Sequence, residues 1–366
     1  MNLYNKKSLL LRDSNMELLR VVAMSLVVLS HFNGFGLGYF GMKSYSPSVY
    51  NVCSLSICES FLVIGVPIFI LISGYYGIKL RVKAVLNLCL ICLFYQILLL
   101  ILNVSFFSEP LTVKGIVKLF FPISTSGSGW WFIPVYFCLM LCSPILNKAV
   151  EAFSNKENIE VLVLLLLVNC YFGYIRRLGS ISGGMGTNLI NFVFIYYIGR
   201  VIRVFENKIQ YHFWQPFLAY LLLSIVNGCI LIFLYYKTNM NHSIMIEYNN
   251  PLLILAAVSF FLFFKKLSFK SAFVNWMGKS SLAIYLLHIR EPISSLLFPF
   301  NTNCINSVGY SGIIMYLKLI LLFFAIIYIS ILIDQIRILI MNPLLAFIDK
   351  KTSMIINKAE FYFNLL

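Results

Sequence analysis

The chain is a succession of long apolar segments separated by short polar ones. A transmembrane helix needs about 20 consecutive, mostly apolar residues, and segments of that kind recur along the whole sequence. The pattern predicts about ten spans, at 16–35, 57–77, 84–104, 131–148, 159–175, 188–203, 213–236, 250–266, 276–298 and 311–340. The expected fold is therefore all-α, a polytopic membrane helix bundle.

Basic residues are distributed unevenly between these spans. If the N-terminus lies inside, eighteen Lys and Arg residues fall on the cytoplasmic side and seven on the outer side. Because cytoplasmic loops carry the excess of Lys and Arg, both termini are expected in the cytoplasm. The chain is interpreted as a single domain, 1–366, with a core at about 12–341 and a cytoplasmic tail at 342–366.

Composition agrees with a membrane protein and excludes other classes. The 366 residues are 60% hydrophobic and 11% charged, with a mean hydropathy of +0.89, which is far outside the range of soluble domains. The net charge of +15 fits basic inner loops, and no clustered basic face suits a nucleic acid. The nine cysteines lie mostly within apolar spans, where they serve as small hydrophobic side chains, so no metal site is expected.

The first span combines an acid, a base and an imidazole. Glu17 and Arg20 lie near its start and His31 near its end, with ten residues between Arg20 and His31. Eleven helical steps add up to about 1100°, close to three full turns, so Arg20 and His31 share a face about 16 Å apart along the axis. Ionisable residues within a span usually face a bundle interior or a wet cavity. Arg20 and His31 are therefore expected to face one cavity, although an arginine at the interface and a core histidine are an alternative.

Four later stretches contain further candidates. The second span ends with Pro67, Ser73, Gly74 and Tyr75, and the cations Lys79, Arg81 and Lys83 follow it. A Gly/Ser segment precedes Trp130 and Trp131, which form either an interface anchor or a stacking platform for a sugar ring. Arg176 and Arg177 are adjacent on the outer side, where they are solvated loop charges or bind an anionic acceptor. In the ninth span Tyr285 and His288 share a helix face, for a structural hydrogen bond or for a role at the acceptor site.

These stretches together resemble the integral-membrane acyltransferase family three. The family pattern of an arginine, ten residues and a histidine is matched by Arg20 and His31. The end of the second span resembles a second family pattern, which is proline-phenylalanine followed by serine-glycine-aromatic and then by basic residues. In the family these basic residues are two arginines separated by two residues, whereas this chain has a Lys-x-Arg-x-Lys run. A tryptophan-aromatic pair and a tyrosine-leucine-x-histidine stretch complete the resemblance, which covers about 90% of the chain.

The resemblance implies a bacterial plasma-membrane enzyme that moves an acetyl group from cytoplasmic acetyl-CoA to a hydroxyl of a cell-surface or lipid-linked carbohydrate. Arg20, Lys79, Arg81 and Lys83, with Ser73 and Tyr75, are then expected to hold the donor. His31 acts as general base or as nucleophile, and Glu17 orients Arg20. The lipid bilayer and the carbohydrate are the expected partners, and neither the acceptor sugar nor the oligomeric state can be read from the sequence.

Two other classes remain open at this point. A lipid-linked oligosaccharide flippase or transporter is also basic, polytopic and aromatic-rich, but internal repeats or broken paired spans are typical of it, and the sequence has none. A membrane glycan polymerase would carry long outer loops or carboxylates placed for glycosyl chemistry, whereas this chain has thirteen acidic residues and short outer loops.

Overall fold

The computed structural model is helical, with no strand among the residues it describes. These residues are 12–44, 47–106, 110, 112–121, 123, 129–206, 208, 210–237, 242–298 and 310–363. The Gly/Ser segment at 124–128 and the last three residues of the predicted tail lie outside the described residues. The fold is thus an all-α bundle, as the hydrophobic pattern predicts.

The first half of the described chain contains seven α-helices. They are α1 (Ser14–His31), α2 (Val49–Leu62), α3 (Gly65–Tyr76), α4 (Val82–Phe106), α5 (Val113–Leu119), α6 (Phe132–Ala152) and α7 (Asn155–Leu166). π-Helical segments at Phe32–Gly36 and Leu167–Ile175 continue α1 and α7, and a 3₁₀ helix occupies Tyr39–Ser44.

The second half contains eight more. They are α8 (Gly179–Gly186), α9 (Leu189–Val204), α10 (Trp214–Lys237), α11 (Pro251–Lys266), α12 (Ala272–Lys279), α13 (Ser281–His288), α14 (Ile293–Leu297) and α15 (Tyr310–Phe363). A 3₁₀ helix at His242–Ile246 precedes α11.

Nine helical stretches of the described residues are long and apolar enough to cross a membrane. They are Ser14–Met42, Val49–Tyr76, Val82–Phe106, Phe132–Ala152, Asn155–Ile175, Gly184–Val204, Trp214–Lys237, Ile244–Lys266 and Leu317–Phe347. Each overlaps one of the predicted spans, which confirms a polytopic bundle. The side of the membrane on which the termini lie stays a prediction.

The predicted span at 276–298 is wrong as one continuous helix, because the segment is divided among α12, α13 and α14. Gly278 lets α12 approach α1 so closely that a Cβ at this position would lie 2.9 Å from Glu17 Cβ. The chain then turns at Ser280 into α13. Pro292 lacks the amide hydrogen that a continuous helix needs. The break at Ser280 turns α13 along α1 toward His31.

Helix α1 lies at the centre of the bundle. It packs against α2, α3, α11, α12 and α13, and Leu19, Ala23 and Val28 are fully buried there. Gly65, at the start of α3, permits the closest approach, since a Cβ there would lie 2.6 Å from the Ala23 carbonyl oxygen. Small residues that let helix backbones approach are typical of membrane bundles.

The last helix, α15, is one continuous element from Tyr310 to Phe363. It therefore runs through the predicted boundary between core and tail at about 341 without a break.

Candidate functional site

His31 and His288 meet where α1 ends. His31 Nδ1 lies 2.8 Å from His288 Nε2, and the two ring centroids are 5.0 Å apart. His288 is fully buried and is the last residue of α13. The histidine candidates from the first and ninth predicted spans thus form one pair.

A backbone carbonyl fixes the direction of the hydrogen bonds in this pair. His288 Nδ1 lies 2.6 Å from the Ile284 carbonyl oxygen, and because a carbonyl oxygen only accepts, His288 Nδ1 carries a hydrogen. Nε2 of a neutral His288 ring is then an acceptor, so His31 Nδ1 donates to it. In a neutral His31 ring, Nε2 remains unprotonated and can take a proton from a hydroxyl group.

Phenylalanine rings surround the histidine pair. The Phe298 ring lies edge-on to His31 and His288, at centroid distances of 6.2 and 6.5 Å. The Phe35 ring lies 5.6 Å from His31 and is 46% exposed. His31 is partly exposed, so it lies between the buried His288 and the outside of the bundle.

At the other end of α1, Glu17 joins two arginines. Its Oε1 atom pairs with Arg20 on the same helix and lies 3.1 Å from Arg12 Nη1. The Glu17 side chain is 5% exposed. Arg20 donates a charge-assisted hydrogen bond to this carboxylate, which orients Arg20 and balances its charge, and Arg12 is held near it by the ion pair.

A cavity of about 190 Å³ extends along α1 from Arg20 to Val27. Its other walls come from α3, α4, α6 and α13, and they include Ser73, Phe132 and Tyr285. Most of the lining is apolar, with the Arg20 guanidinium near one end. The cavity therefore suits a narrow uncharged chain that is joined to an anionic group beside Arg20.

His31 is absent from the described residues that line this cavity. Val27 precedes His31 by about one helical turn, or about 6 Å along the axis. Tyr285 also lines the cavity, and its ring lies edge-on to His288 with centroids 6.2 Å apart. The expectation that Arg20 and His31 face one cavity is wrong for the described cavities, because Arg20 lines this one and His31, one turn beyond Val27, does not.

A second cavity, of about 340 Å³, continues the first beyond Arg20. The two share Arg20, Ser73 and Tyr136 in their walls. Ser73 Oγ donates to the Phe69 carbonyl oxygen at 2.9 Å and lies 3.2 Å from the Tyr136 hydroxyl. Ser73 and Tyr75 are the two donor-site candidates at the end of the second predicted span. Of these, Ser73 lies at the junction of both cavities.

The three cations that follow the second predicted span are not among the described residues that line these cavities. Lys79 and Arg81 lie between α3 and α4, and Lys83 lies in the first turn of α4. All three are exposed. None is among the described residues that line these two cavities or the polar cavity described below. Their share in donor binding stays a prediction.

Tyr75 faces a third, polar cavity of about 480 Å³. Its hydroxyl donates to Glu206 Oε1 at 2.8 Å and accepts from Arg203 at 2.9 Å. Lys265 pairs with Glu206 at 3.0 Å. Basic side chains in the lining outnumber acidic ones: Arg203, Lys265, Lys266 and Lys270 against Asp13 and Glu206. The excess of positive charge favours an anionic ligand.

Glu206 lies outside the membrane spans and is held by its neighbours. Burial raises the pKa of Glu206, but hydrogen bonds from Tyr75 and Lys265 and the positive charges of Lys265 and Arg203 outweigh burial, so this pKa lies below its ordinary value. The ionised carboxylate therefore holds Lys265 and Arg203 beside Tyr75.

Tyr76 separates the polar cavity from the cavities around Arg20. It belongs to the walls of the polar cavity and of the second cavity. Its hydroxyl donates to Asp13 Oδ2 at 2.8 Å, and the Arg20 guanidinium carbon lies 5.9 Å from its ring centroid. A ligand with its charged part in the polar cavity has to pass Tyr76 to reach Arg20.

The two tryptophans have different surroundings. Trp130 is fully buried, its Nε1 donates to the Leu286 carbonyl oxygen at 3.1 Å, and the Arg290 guanidinium lies 4.6 Å from its ring centroid. With no exposed ring face, Trp130 supports α13 and offers no stacking surface for a sugar. Trp131 is partly exposed and stacks on Tyr248 at 5.6 Å; its contact with a sugar stays a prediction.

Arg176 and Arg177 are the two arginines predicted to bind an anionic acceptor. They are distant in sequence from His31 and His288 and do not line the described cavities. Arg177 forms an ion pair with the nearly buried Glu247, and Arg176 is exposed. Neither is among the described cavity-lining residues. A role in acceptor binding stays a prediction for both.

Sequence reasoning missed the basic residues of the polar cavity. Lys265 and Lys266 end α11, and in the sequence they count only among the basic residues expected on the cytoplasmic side. Their adjacency at the end of a span was the available signal. Contact with Tyr75 and Glu206 depends on how helices from distant parts of the chain pack, which periodicity does not give.

In this membrane bundle, the His31 imidazole has a nitrogen that can accept a proton, and a cavity beside the Arg20 guanidinium runs along the same helix. This combination is typical of a membrane-embedded group-transfer enzyme. A family model described as an acyltransferase domain matches residues 13–334, which include Glu17, Arg20, His31 and His288. The chain belongs to the integral-membrane acyltransferase family three. No curated protein and no solved structure matches the chain.

Proposed function

We propose that this membrane acyltransferase moves an acetyl group from cytoplasmic acetyl-CoA to a hydroxyl of a cell-surface or lipid-linked carbohydrate, such as a capsular or exopolysaccharide sugar, in a bacterial plasma membrane. The observation that carries the proposal is the hydrogen-bond chain from the Ile284 carbonyl oxygen through His288 to His31. These hydrogen bonds leave His31 Nε2 as a proton acceptor in a protein of an acyltransferase family.

Two cavities of opposite character support acetyl-CoA as the donor. Acetyl-CoA has a polyanionic nucleotide and a narrow, uncharged pantetheine arm. The polar cavity beside Tyr75 carries an excess of basic side chains, and the cavity along α1 is mostly apolar. In this proposal the nucleotide lies toward Lys265 and Arg203, and the arm passes Tyr76 and Arg20 toward Val27.

Arg20 and the exposed cations have separate roles in this arrangement. Arg20 is fixed by Glu17 at the entrance of the apolar cavity, where it holds a phosphate of the donor. Lys79, Arg81 and Lys83 attract the donor from the aqueous phase, because exposed charges act mainly on association. Ser73 contacts the arm at the junction of the cavities.

The chemical step takes place at His31 Nε2. The nitrogen accepts the proton of the sugar hydroxyl while the hydroxyl oxygen attacks the thioester carbonyl carbon. A new C–O ester bond forms, the C–S bond breaks, and the proton passes from His31 to the leaving sulfur of CoA. General base catalysis of this kind contributes about 10²–10⁴-fold to a rate.

Nucleophilic attack by His31 is a variant of the same site. Nε2 would attack the thioester carbon and release CoA, and the sugar hydroxyl would then displace the acyl group from the imidazole. In both variants His288 holds the His31 ring, and the acceptor approaches from the partly exposed side near Phe35. Trp131, Arg176 and Arg177 extend the proposed acceptor surface.

The test is transfer of labelled acetyl groups by the purified protein in lipid nanodiscs, with and without surface glycan from the source cell. We expect wild type to consume acetyl-CoA and to acylate the glycan, and His31→Ala to do neither while it retains acetyl-CoA binding. Transfer by His31→Ala at the wild-type rate would contradict the assignment of the base. A wild-type protein that binds no acetyl-CoA would contradict the donor.

A further inference from the structure

Glu59 is a buried carboxylate in a membrane span and has no part in the chemistry described above. It lies in α2 and is 1% exposed. Both carboxylate oxygens are hydrogen-bonded to α1 or to the π-helical segment that continues it: Ser30 Oγ donates to Oε1 at 2.6 Å, and Asn33 Nδ2 donates to Oε2 at 2.9 Å. A carboxylate in the membrane interior is costly unless it is paired, and a buried one usually marks a functional region.

The two partners of Glu59 lie on either side of His31 in the chain. Ser30 precedes it, and Asn33 follows it by two residues. Asn33 is 2% exposed, and its Nδ2 also donates to the Leu55 carbonyl oxygen at 3.0 Å. Residues three apart share a helix face, so Ser30 and Asn33 present one polar edge of α1 to α2.

The type of helix changes directly after His31. Helix α1 ends at His31 and continues as a π-helical segment, Phe32–Gly36. A wider turn changes the rotation of the side chains relative to an α-helix. His31 points about 100° around the axis from Ser30, so Glu59 holds one side of α1 and His288 contacts another.

We propose that Glu59 is a positioning residue, which holds Ser30 and Asn33 and thereby aims His31 Nδ1 at His288 Nε2. The proposal rests on the proposed function, since it concerns the placement of the base that the acyl transfer uses. Glu59 acts through hydrogen bonds to α1 and does not contact the substrates.

Two substitutions separate hydrogen bonding from charge. In Glu59→Gln the amide oxygen can accept from Asn33 and the amide nitrogen can donate to Ser30 Oγ, so both contacts persist. In Glu59→Ala both are lost. Since misplacement of a catalytic group by about 1 Å can cost about 10²-fold in rate, we expect Glu59→Ala to lower kcat about 10²-fold and Glu59→Gln to stay within about threefold of wild type.

The Michaelis constant provides a readout that general destabilisation would not reproduce. The proposed donor site lies at the other end of α1, about three turns away, so the KM for acetyl-CoA should be unchanged in both variants. Ser60→Ala is the matched control, because Ser60 is 2% exposed on the same helix but faces α10, where a Cβ at Gly228 would lie 2.9 Å from Ser60 Oγ. It should keep the wild-type kcat.

Ser30→Ala and Asn33→Ala test the same contacts from α1 if Glu59→Ala does not fold. Each removes one hydrogen bond to the carboxylate and is expected to lower kcat about tenfold with an unchanged KM. Wild-type kcat in Glu59→Ala, or in both α1 variants, would overturn the positioning role, as would an equal loss in Glu59→Gln and Glu59→Ala. Absence of transfer by wild type would instead contradict the proposed function.

Discussion

The two ends of α1 differ in charge, in burial and in what they contact. At its start Glu17 lies between Arg12 and Arg20, and an apolar cavity begins beside the Arg20 guanidinium. At its end His31 lies against the buried His288, with Phe298 beside both rings. The first end holds fixed charges, and the second holds a chain of hydrogen bonds between imidazoles.

The difference shows how one membrane helix can carry two kinds of polar group. Fixed positive charge suits the binding of an anionic donor, because guanidinium groups match phosphate oxygens in geometry and charge. Proton transfer needs a ring nitrogen that can accept a proton, and the partner of the second nitrogen decides which one is free. Each end is stabilised by different neighbours, so each can be altered without the other.

The largest effect apart from loss of His31 itself is expected from His288→Phe. Phenylalanine keeps a ring at the buried position but accepts no hydrogen bond from His31 Nδ1, so the His31 ring can rotate or change tautomer. We expect kcat to fall about 10²-fold with the KM for acetyl-CoA unchanged, measured by acetyl transfer in nanodiscs. His212→Phe, at an exposed position, is the control. An unaltered kcat in His288→Phe would show that the pair has no catalytic importance.

Val27→Phe tests whether the donor passes between the two ends. The larger ring would fill the end of the cavity nearest His31 and exclude the donor's arm from it. We expect the KM for acetyl-CoA to rise about tenfold or more, because about 1.4 kcal/mol corresponds to tenfold. Val22→Phe places the same ring on another, partly exposed face of α1 and should not change KM. Equal KM values for the two variants would contradict passage along this cavity.

A smaller effect is expected at the polar cavity from Lys265→Gln combined with Lys266→Gln. Each removes one positive charge from the lining of the polar cavity, and partly exposed charges contribute up to about 1 kcal/mol, so acetyl-CoA affinity should fall about fivefold while kcat is retained. Lys156→Gln, whose side chain is 88% exposed, is the control. If instead Lys79→Gln and Arg81→Gln weaken binding and the Lys265 and Lys266 changes do not, the nucleotide lies at the exposed turn.

The smallest effect is expected in the pH dependence of folding stability, through Glu206 in the polar cavity. Because the pKa of Glu206 lies below its ordinary value, its ionised form stabilises the folded protein above the ordinary Glu pKa of about 4.3, and this contribution is lost as the pH falls through the folded-state pKa. We expect Tm in detergent to be slightly higher for wild type than for Glu206→Gln at about pH 6 and the gap to close by about pH 3. Exposed Glu160→Gln is the control. A gap that does not change with pH would contradict the ion-pair role.

The sequence predicts α1 well because one helix obeys a fixed geometry. The spacing of Arg20 and His31, the contact of Glu17 with Arg20 and the shared face of Tyr285 and His288 all follow from residue number within a helix. The number of apolar segments likewise predicts the bundle, since the bilayer sets the length of a span.

Contacts between helices could not be predicted in the same way. Glu59 lies within the predicted span at 57–77, and a carboxylate there is a signal for a buried polar contact, but its partners Ser30 and Asn33 depend on the rotation of α1 against α2. The division of 276–298 at Ser280 was not predicted, although Gly278, Lys279 and Ser280 mark it in the sequence, because the apolar residues of α13 beyond them continue the hydrophobic pattern. That break is what turns α13 toward His31.

The most direct test of the account is to measure acetyl-CoA binding and acetyl transfer separately in His31→Ala and in Arg20→Gln. We predict that His31→Ala binds acetyl-CoA with the wild-type Kd but transfers no acetyl group. We predict that Arg20→Gln binds it at least about tenfold more weakly but approaches the wild-type kcat at saturating donor. Transfer by His31→Ala at the wild-type rate, or an unchanged Kd in Arg20→Gln, would contradict the division of labour between the two ends of α1.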